Sequence, residues 1–181
     1  LAIRALRRMA REQFDSFTHL LETLAAADEQ IDLFEFSLSK LVIRHLEPHF
    51  LKERKKVAQV YSLKRLDHEC SVLISSLACT AGSDDETIKM AYDAGAAHLA
   101  SATELNQLPP TECGIHELDQ ALVALVGVGP KLKRQLIETD AATVSADGCL
   151  QIQEAELLRA ISDSLDCPMP PLAIVLDTGA Q

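Results

Sequence analysis

The sequence predicts an all-α fold of about seven helices, organised around two related helical hairpins. Three observations carry that expectation. The chain is 48% hydrophobic but only 4% aromatic, with no Trp, 7 Gly and 7 Pro, a balance that favours helix over sheet. Apolar residues recur at three- and four-residue spacing in segment after segment. One pattern also occurs twice, 119 positions apart (28 to 147, 35 to 154): Ala27-Asp28-Glu29-Gln30-Ile31-Asp32-Leu33-Phe34-Glu35 and Ala146-Asp147-Gly148-Cys149-Leu150-Gln151-Ile152-Gln153-Glu154. The same offset relates Phe17 to Leu136, Leu38 to Leu157 and Leu46 to Leu165. Each copy reads as helix, tight acidic turn, helix.

The elements follow in order. Arg4, Arg7, Arg8 and Arg11 interleave with Leu1, Ile3, Leu6 and Met9, a basic amphipathic stretch that reads as the end of a longer helix. Phe14, Phe17, Leu20, Leu21 and Leu24 place a helix over 11–26. Asp32 and Glu35 form a capping-box pair for the next helix, whose face carries Phe34, Leu38, Leu41, Val42 and Leu46. Pro48 should end it. Residues 51–61 are basic and weakly periodic, so a loop or a short extended piece is expected.

A third helix is expected from Ser62 to about 81, with Leu66, Leu73, Ile74 and Leu77 inward. Ser83 and Glu86 suggest a capping box for a helix over 84–100, and Pro109-Pro110 mark a loop. A fifth helix should cover 115–126. Pro130, at a favoured first helical position, opens a sixth running to about 145. Asp147-Gly148 turns the chain into a seventh over 152–166, stopped by Pro168, Pro170 and Pro171.

Charge and cysteine usage bound the function. The net charge of −10 is uneven: residues 1–65 hold 12 Lys and Arg against 9 Asp and Glu, and residues 66–181 hold 5 against 18. The acidic half argues against general nucleic-acid binding. The five cysteines (Cys70, Cys79, Cys113, Cys149, Cys167) are odd in number and lack a CxxC pair, which suits buried thiols in a reducing compartment. No apolar run reaches the ~20 residues that span a bilayer.

Candidate sites are few. Asp28, Asp32, Glu35, Asp147 and Glu154 would form a divalent-cation site if the two turns approached each other, because clustered carboxylates favour a hard cation. The cheaper reading has Asp32, Glu35 and Glu154 capping helices and Asp28 and Asp147 bonding backbone amides, with Ile31 and Leu150 anchoring the turns. Gly127-Val128-Gly129-Pro130-Lys131 resembles a helix-hairpin-helix phosphate turn, but Lys133 stands where that motif needs a small residue. His45 and His49 are four apart, yet a helix broken at Pro48 would not align them for zinc. Lys52, Arg54, Lys55, Lys56, Lys64 and Arg65 form a basic run suited to an anionic membrane surface or an acidic protein, or a solvated loop. The sequence offers no HExxH motif, no nucleophile–base arrangement and no Gly-rich phosphate loop.

The doubled helix–Ala-Asp-(Gly)-x-hydrophobic-x-x-x-Glu–helix pattern resembles the TerB-like (tellurite-resistance) and DnaJ-like-protein-associated helical domains. That resemblance covers 11–170, leaves 171–181 as a loose tail, and implies metal binding at Asp28, Glu35, Asp147 and Glu154 in some members. Glu29 departs from the usual Gly. The segments LFEF, RHLEPHF and LDCPMPP are more narrowly similar to the C-terminal region of bacterial membrane zinc metallopeptidases of the HtpX and CAAX-prenyl-protease kind. The resemblance implies a non-catalytic regulatory or interaction domain at the cytoplasmic side of the inner membrane. Residues 1–10 would be a membrane-proximal basic linker, and zinc would belong to a peptidase domain outside this chain. Its partners would be that peptidase domain, protein substrates and an anionic membrane surface. A start at Leu1 rather than Met fits such a fragment. The rival expectation is a stand-alone divalent-metal-binding stress-response module.

Overall fold

A computed structural model describes residues 5–27, 33–50, 60–101 and 103–167. Among them are seven α-helices: α1 (Arg11–Ala27), α2 (Leu33–Phe50), α3 (Asp67–Ala78), α4 (Asp85–Leu99), α5 (Ile115–Leu125), α6 (Pro130–Val144) and α7 (Ile152–Ser164), with one 3-10 turn at Pro110–Glu112. The expected all-α class holds. No helix among the described residues is long and apolar enough to cross a membrane.

Local chemistry sets the helix ends. The Ala10 N–H donates to Gln13 Oε1 (2.8 Å), half of a capping box that opens α1. The Arg11 guanidinium donates to the Phe50 carbonyl (2.7 Å), placing a cation at the C-terminus of α2, where unsatisfied carbonyls and the helix dipole favour one. Pro48 does not end α2, contrary to expectation; the helix runs through it to Phe50. A proline this close to the C-terminus removes one late hydrogen bond, and the Phe14–Phe50 ring stack (centroids 4.5 Å apart) holds the final turn against α1. The expected Asp32 cap lies outside the described residues.

The third helix is shorter than its apolar spacing suggested. Leu63–Leu66 forms a separate turn, with the Leu66 N–H on the Leu63 carbonyl (2.8 Å), and α3 begins only at Asp67. The cap of α4 is Asp84 rather than Ser83: its carboxylate accepts from the Thr87 N–H (2.9 Å). That bond is the main reason the Asp84 pKa lies below the ordinary carboxylate value. α6 starts at Pro130 as expected.

Every residue of α3 from Cys70 to Ala78 is buried. A helix buried all round must be covered on all sides, and α4, α5 and α6 pack around it. The remaining side is closed by an irregular segment that hangs from the helix serines. Ser71 Oγ accepts from the Asn106 N–H (3.1 Å), and Ser75 Oγ accepts from the Leu108 N–H (3.0 Å). Ser76 Oγ donates to the Cys113 carbonyl (2.7 Å). The apolar core joins Leu73, Ile74 and Leu77 of α3 to Leu99, Leu118, Leu136, Leu158 and Ile161. The most extensive helix packing is α4 on α6.

Gly95 makes that approach possible. A Cβ there would lie 2.0 Å from Thr143 Oγ1 and 3.3 Å from both Ile74 Cγ2 and the Thr139 carbonyl. Gly95→Ala should therefore destabilise the protein by roughly 1–3 kcal/mol in urea unfolding, despite the better helix propensity of Ala. Adding Thr143→Ala should recover part of that loss.

Candidate functional site

The second acidic turn is spent on its own backbone. Asp147 Oδ1 accepts from the Cys149 N–H (2.9 Å), and Gly148 takes φ +84°, a left-handed conformation open to glycine. Glu154 Oε2 accepts from the Gln151 N–H (2.7 Å), completing a capping box at the start of α7. Leu150 packs against the core as the anchor of the turn. Glu35 sits exposed in the first turn of α2. Asp28 and Asp32 lie outside the described residues. Among the described residues, no three His, Cys, Asp or Glu side chains converge as metal ligands.

The two hairpins meet through their second helices, α2 on α7. Arg44 pairs with Asp166, and His45 Nδ1 lies 3.2 Å from Asp163 Oδ2, an ion pair whenever the ring is protonated. Shifted by 119 positions, Asp163 corresponds to Arg44 and Asp166 to Glu47, so the seam joins equivalent stretches of the two copies. Leu46 and its equivalent Leu165 are both fully buried. Asp166 holds φ +53° after the end of α7, while the Cys167 N–H returns to the Ser162 carbonyl (2.9 Å) in a Schellman-type closure. Glu154 stands nine residues from Asp163, about 14 Å along α7 at the helical rise.

Beside the seam lies an open cleft of about 280 Å³, lined by Thr18, Lys40, Ile43, Arg44, Asp119 and Val123 among others. Lys40 of α2 bonds Asp119 of α5 across it (2.9 Å). Val123 is 68% exposed, one of the most exposed large apolar side chains among the described residues. Sequence reasoning missed this cleft because its walls come from helices far apart in the chain.

The glycine turn after α5 does not present itself to a phosphate. Val60 pairs with Val128 in a parallel bridge: the Gly129 N–H donates to the Val60 carbonyl (2.8 Å), and the Val60 N–H to the Gly127 carbonyl (2.8 Å). Lys133 is half-buried near Asp166 and Arg44, and desolvation is the main cause that lowers its pKa. Of the 51–61 stretch, residues 51–59 lie outside the described residues, and Val60 makes the extended contact with Val128. Lys64 and Arg65 of the basic run are exposed, and Lys64 shares a cleft of about 430 Å³ with Asp67 and Glu104. Lys52, Arg54, Lys55 and Lys56 fall outside the described residues. His45 and His49 do share one continuous helix, correcting the expected break, but His49 meets Phe50 edge-on at 4.9 Å while His45 faces Asp163.

One buried acid is a group the sequence did not single out. Asp140 of α6 is fully buried, and neither carboxylate oxygen has a hydrogen-bond partner among the described residues. Desolvation raises its pKa well above the ordinary value. It lies near Cys70 of α3, whose thiol is pushed up to about 12 by burial first and by the Asp140 charge second.

No family model matches the chain, and neither does any curated protein or solved structure. The protein is a helical one in which two hairpins share a seam.

Asp140 gives a signed pH prediction. Its folded pKa exceeds the unfolded one, so its contribution to stability is complete below about pH 4 and is lost as pH rises through the folded pKa. Asp140→Asn should raise the thermal midpoint at pH 7, with the gap to wild type closing as the solution is acidified. A gap that does not change with pH would contradict this.

Proposed function

We propose that this chain is a non-catalytic interaction domain that regulates a bacterial membrane zinc metallopeptidase. The reading takes its context from the sequence resemblance and its surface from the seam between the hairpins. The observation that carries it is the open cleft beside α2 and α7, where the exposed Val123 side chain borders the Lys40–Asp119 pair. An apolar anchor beside paired charges suits a segment of a protein partner: burial of the anchor supplies affinity, and the charges fix register. The partner is the peptidase portion or a substrate that it delivers. Asp147 and Glu154 act as turn and cap residues that hold α7 in place.

The test titrates the chain against the separately produced peptidase portion. Val123→Glu should weaken binding about tenfold or more, a loss of about 1.4 kcal/mol or greater. Deleting the chain from the full-length protease should alter cleavage of at least one substrate. Unchanged affinity together with unchanged proteolysis would refute the proposal. Calorimetry with Ca²⁺, Mg²⁺ and Zn²⁺ separates the metal-sensing alternative, which requires binding heat that Asp28→Asn with Asp147→Asn abolishes.

A further inference from the structure

Two thiols that the sequence left unpaired are brought together at the end of α3. Cys79 follows the last residue of that helix. One turn earlier, buried Ser76 donates to the Cys113 carbonyl (2.7 Å) and fastens the segment after the 3-10 turn beside the helix end. Residues three apart share a helix face, so the bond that holds the Cys113 carbonyl at Ser76 places Cys113 one helical turn from Cys79. After burial, the Cys79 thiol is the next cause that raises the Cys113 pKa, as a neighbour would. Cys113 is buried, with Sγ 3.3 Å from the Pro109 carbonyl, whereas Cys79 is half-buried and reaches solvent.

We propose that Cys79 and Cys113 are a reversible disulfide site, closed by a hydroperoxide and reopened by a thiol reductant. The Cys79 thiolate attacks one oxygen of hydrogen peroxide, and the O–O bond breaks. The departing hydroxide takes up the proton that Cys79 released, leaving water and a Cys79 sulfenic acid. The Cys113 sulfur then attacks the Cys79 sulfur, the S–O bond breaks, and the second hydroxide leaves as water with the Cys113 proton. Both sulfurs are oxidised and both peroxide oxygens reduced. Thiol–disulfide exchange with a dithiol reverses the change.

The order of events follows from the surroundings. Burial is the first cause that pushes the Cys113 thiol up to about 12, so it keeps its proton until the hydroxide departs, and Cys79 reacts first. The closed bridge joins the end of α3 covalently to the segment that Ser71, Ser75 and Ser76 already hold. It fixes that segment against the most buried helix of the fold.

The test treats the whole folded chain with hydrogen peroxide, traps free thiols with N-ethylmaleimide and maps peptides without reduction. The expected product is a Cys79–Cys113 peptide pair, lighter than its parts by two hydrogen atoms and separated by dithiothreitol. The same pair should form when Cys70, Cys149 and Cys167 are all replaced by Ser. In Cys113→Ser the reaction should stop at a Cys79 sulfenic acid that dimedone captures. Cys79 oxidised while Cys113 remains free, or Cys79 joined to another cysteine, would overturn the proposal. Should either variant fail to fold, the wild-type peptide map decides alone.

Discussion

The burial of α3 on every side from Cys70 to Ala78 is the constraint on which the rest of the molecule depends. A helix with no solvent face gains nothing from amphipathic patterning; it is stable only when neighbours cover its whole circumference. Three helices supply most of that cover and leave one side open. An irregular segment fills it. Backbone amides in such a segment would be costly to bury unpaired, and the serines at 71 and 75 accept from two of them. The same requirement brings Gly95 to its place, because at that point α4 lies too near Thr143 of α6 and Ile74 of α3 to leave room for a side chain.

Among the described residues, the N-terminal hairpin attaches to this arrangement mainly through α2 on α7, with the Lys40–Asp119 pair reaching α5. Its second helix lies on the equivalent helix of the other hairpin, and the contacts there are charged at the rim and apolar within. Arg44 engages the carboxylate of a residue in the left-handed conformation, so the closure of α7 and the attachment of α2 are coupled. The cleft beside the seam is what remains where cylinders that cross can no longer fill the space between them.

Much of this was legible in the residues. Turn chemistry placed α7: Asp147-Gly148 and Glu154 do what their types and spacing dictate. Pro130 placed the start of α6 for the same kind of reason. Local signals work because the groups that satisfy one another are neighbours in sequence. They fail where satisfaction comes from afar. Nothing local to the serines of α3 shows that their partners lie more than thirty residues on. Asp140, within KRQLIETDAATV, looks like any surface acid, yet α3 and α4 pack over its side of α6. Cys79 and Cys113 carry no spacing signature because a hydrogen bond from a third residue, Ser76, places Cys113 one turn from Cys79. Pro48 misled because the usual penalty for proline applies to a helix interior, and α2 ends two residues later.

Native-state hydrogen exchange tests the central claim most directly. The amides of α3 between Cys70 and Ala78 should exchange only through global unfolding, with protection equal to the free energy from denaturant titration. The Asn106 and Leu108 amides should share that protection although they lie in irregular chain. Exchange of α3 by local opening, at rates like those of the exposed face of α1, would contradict the account.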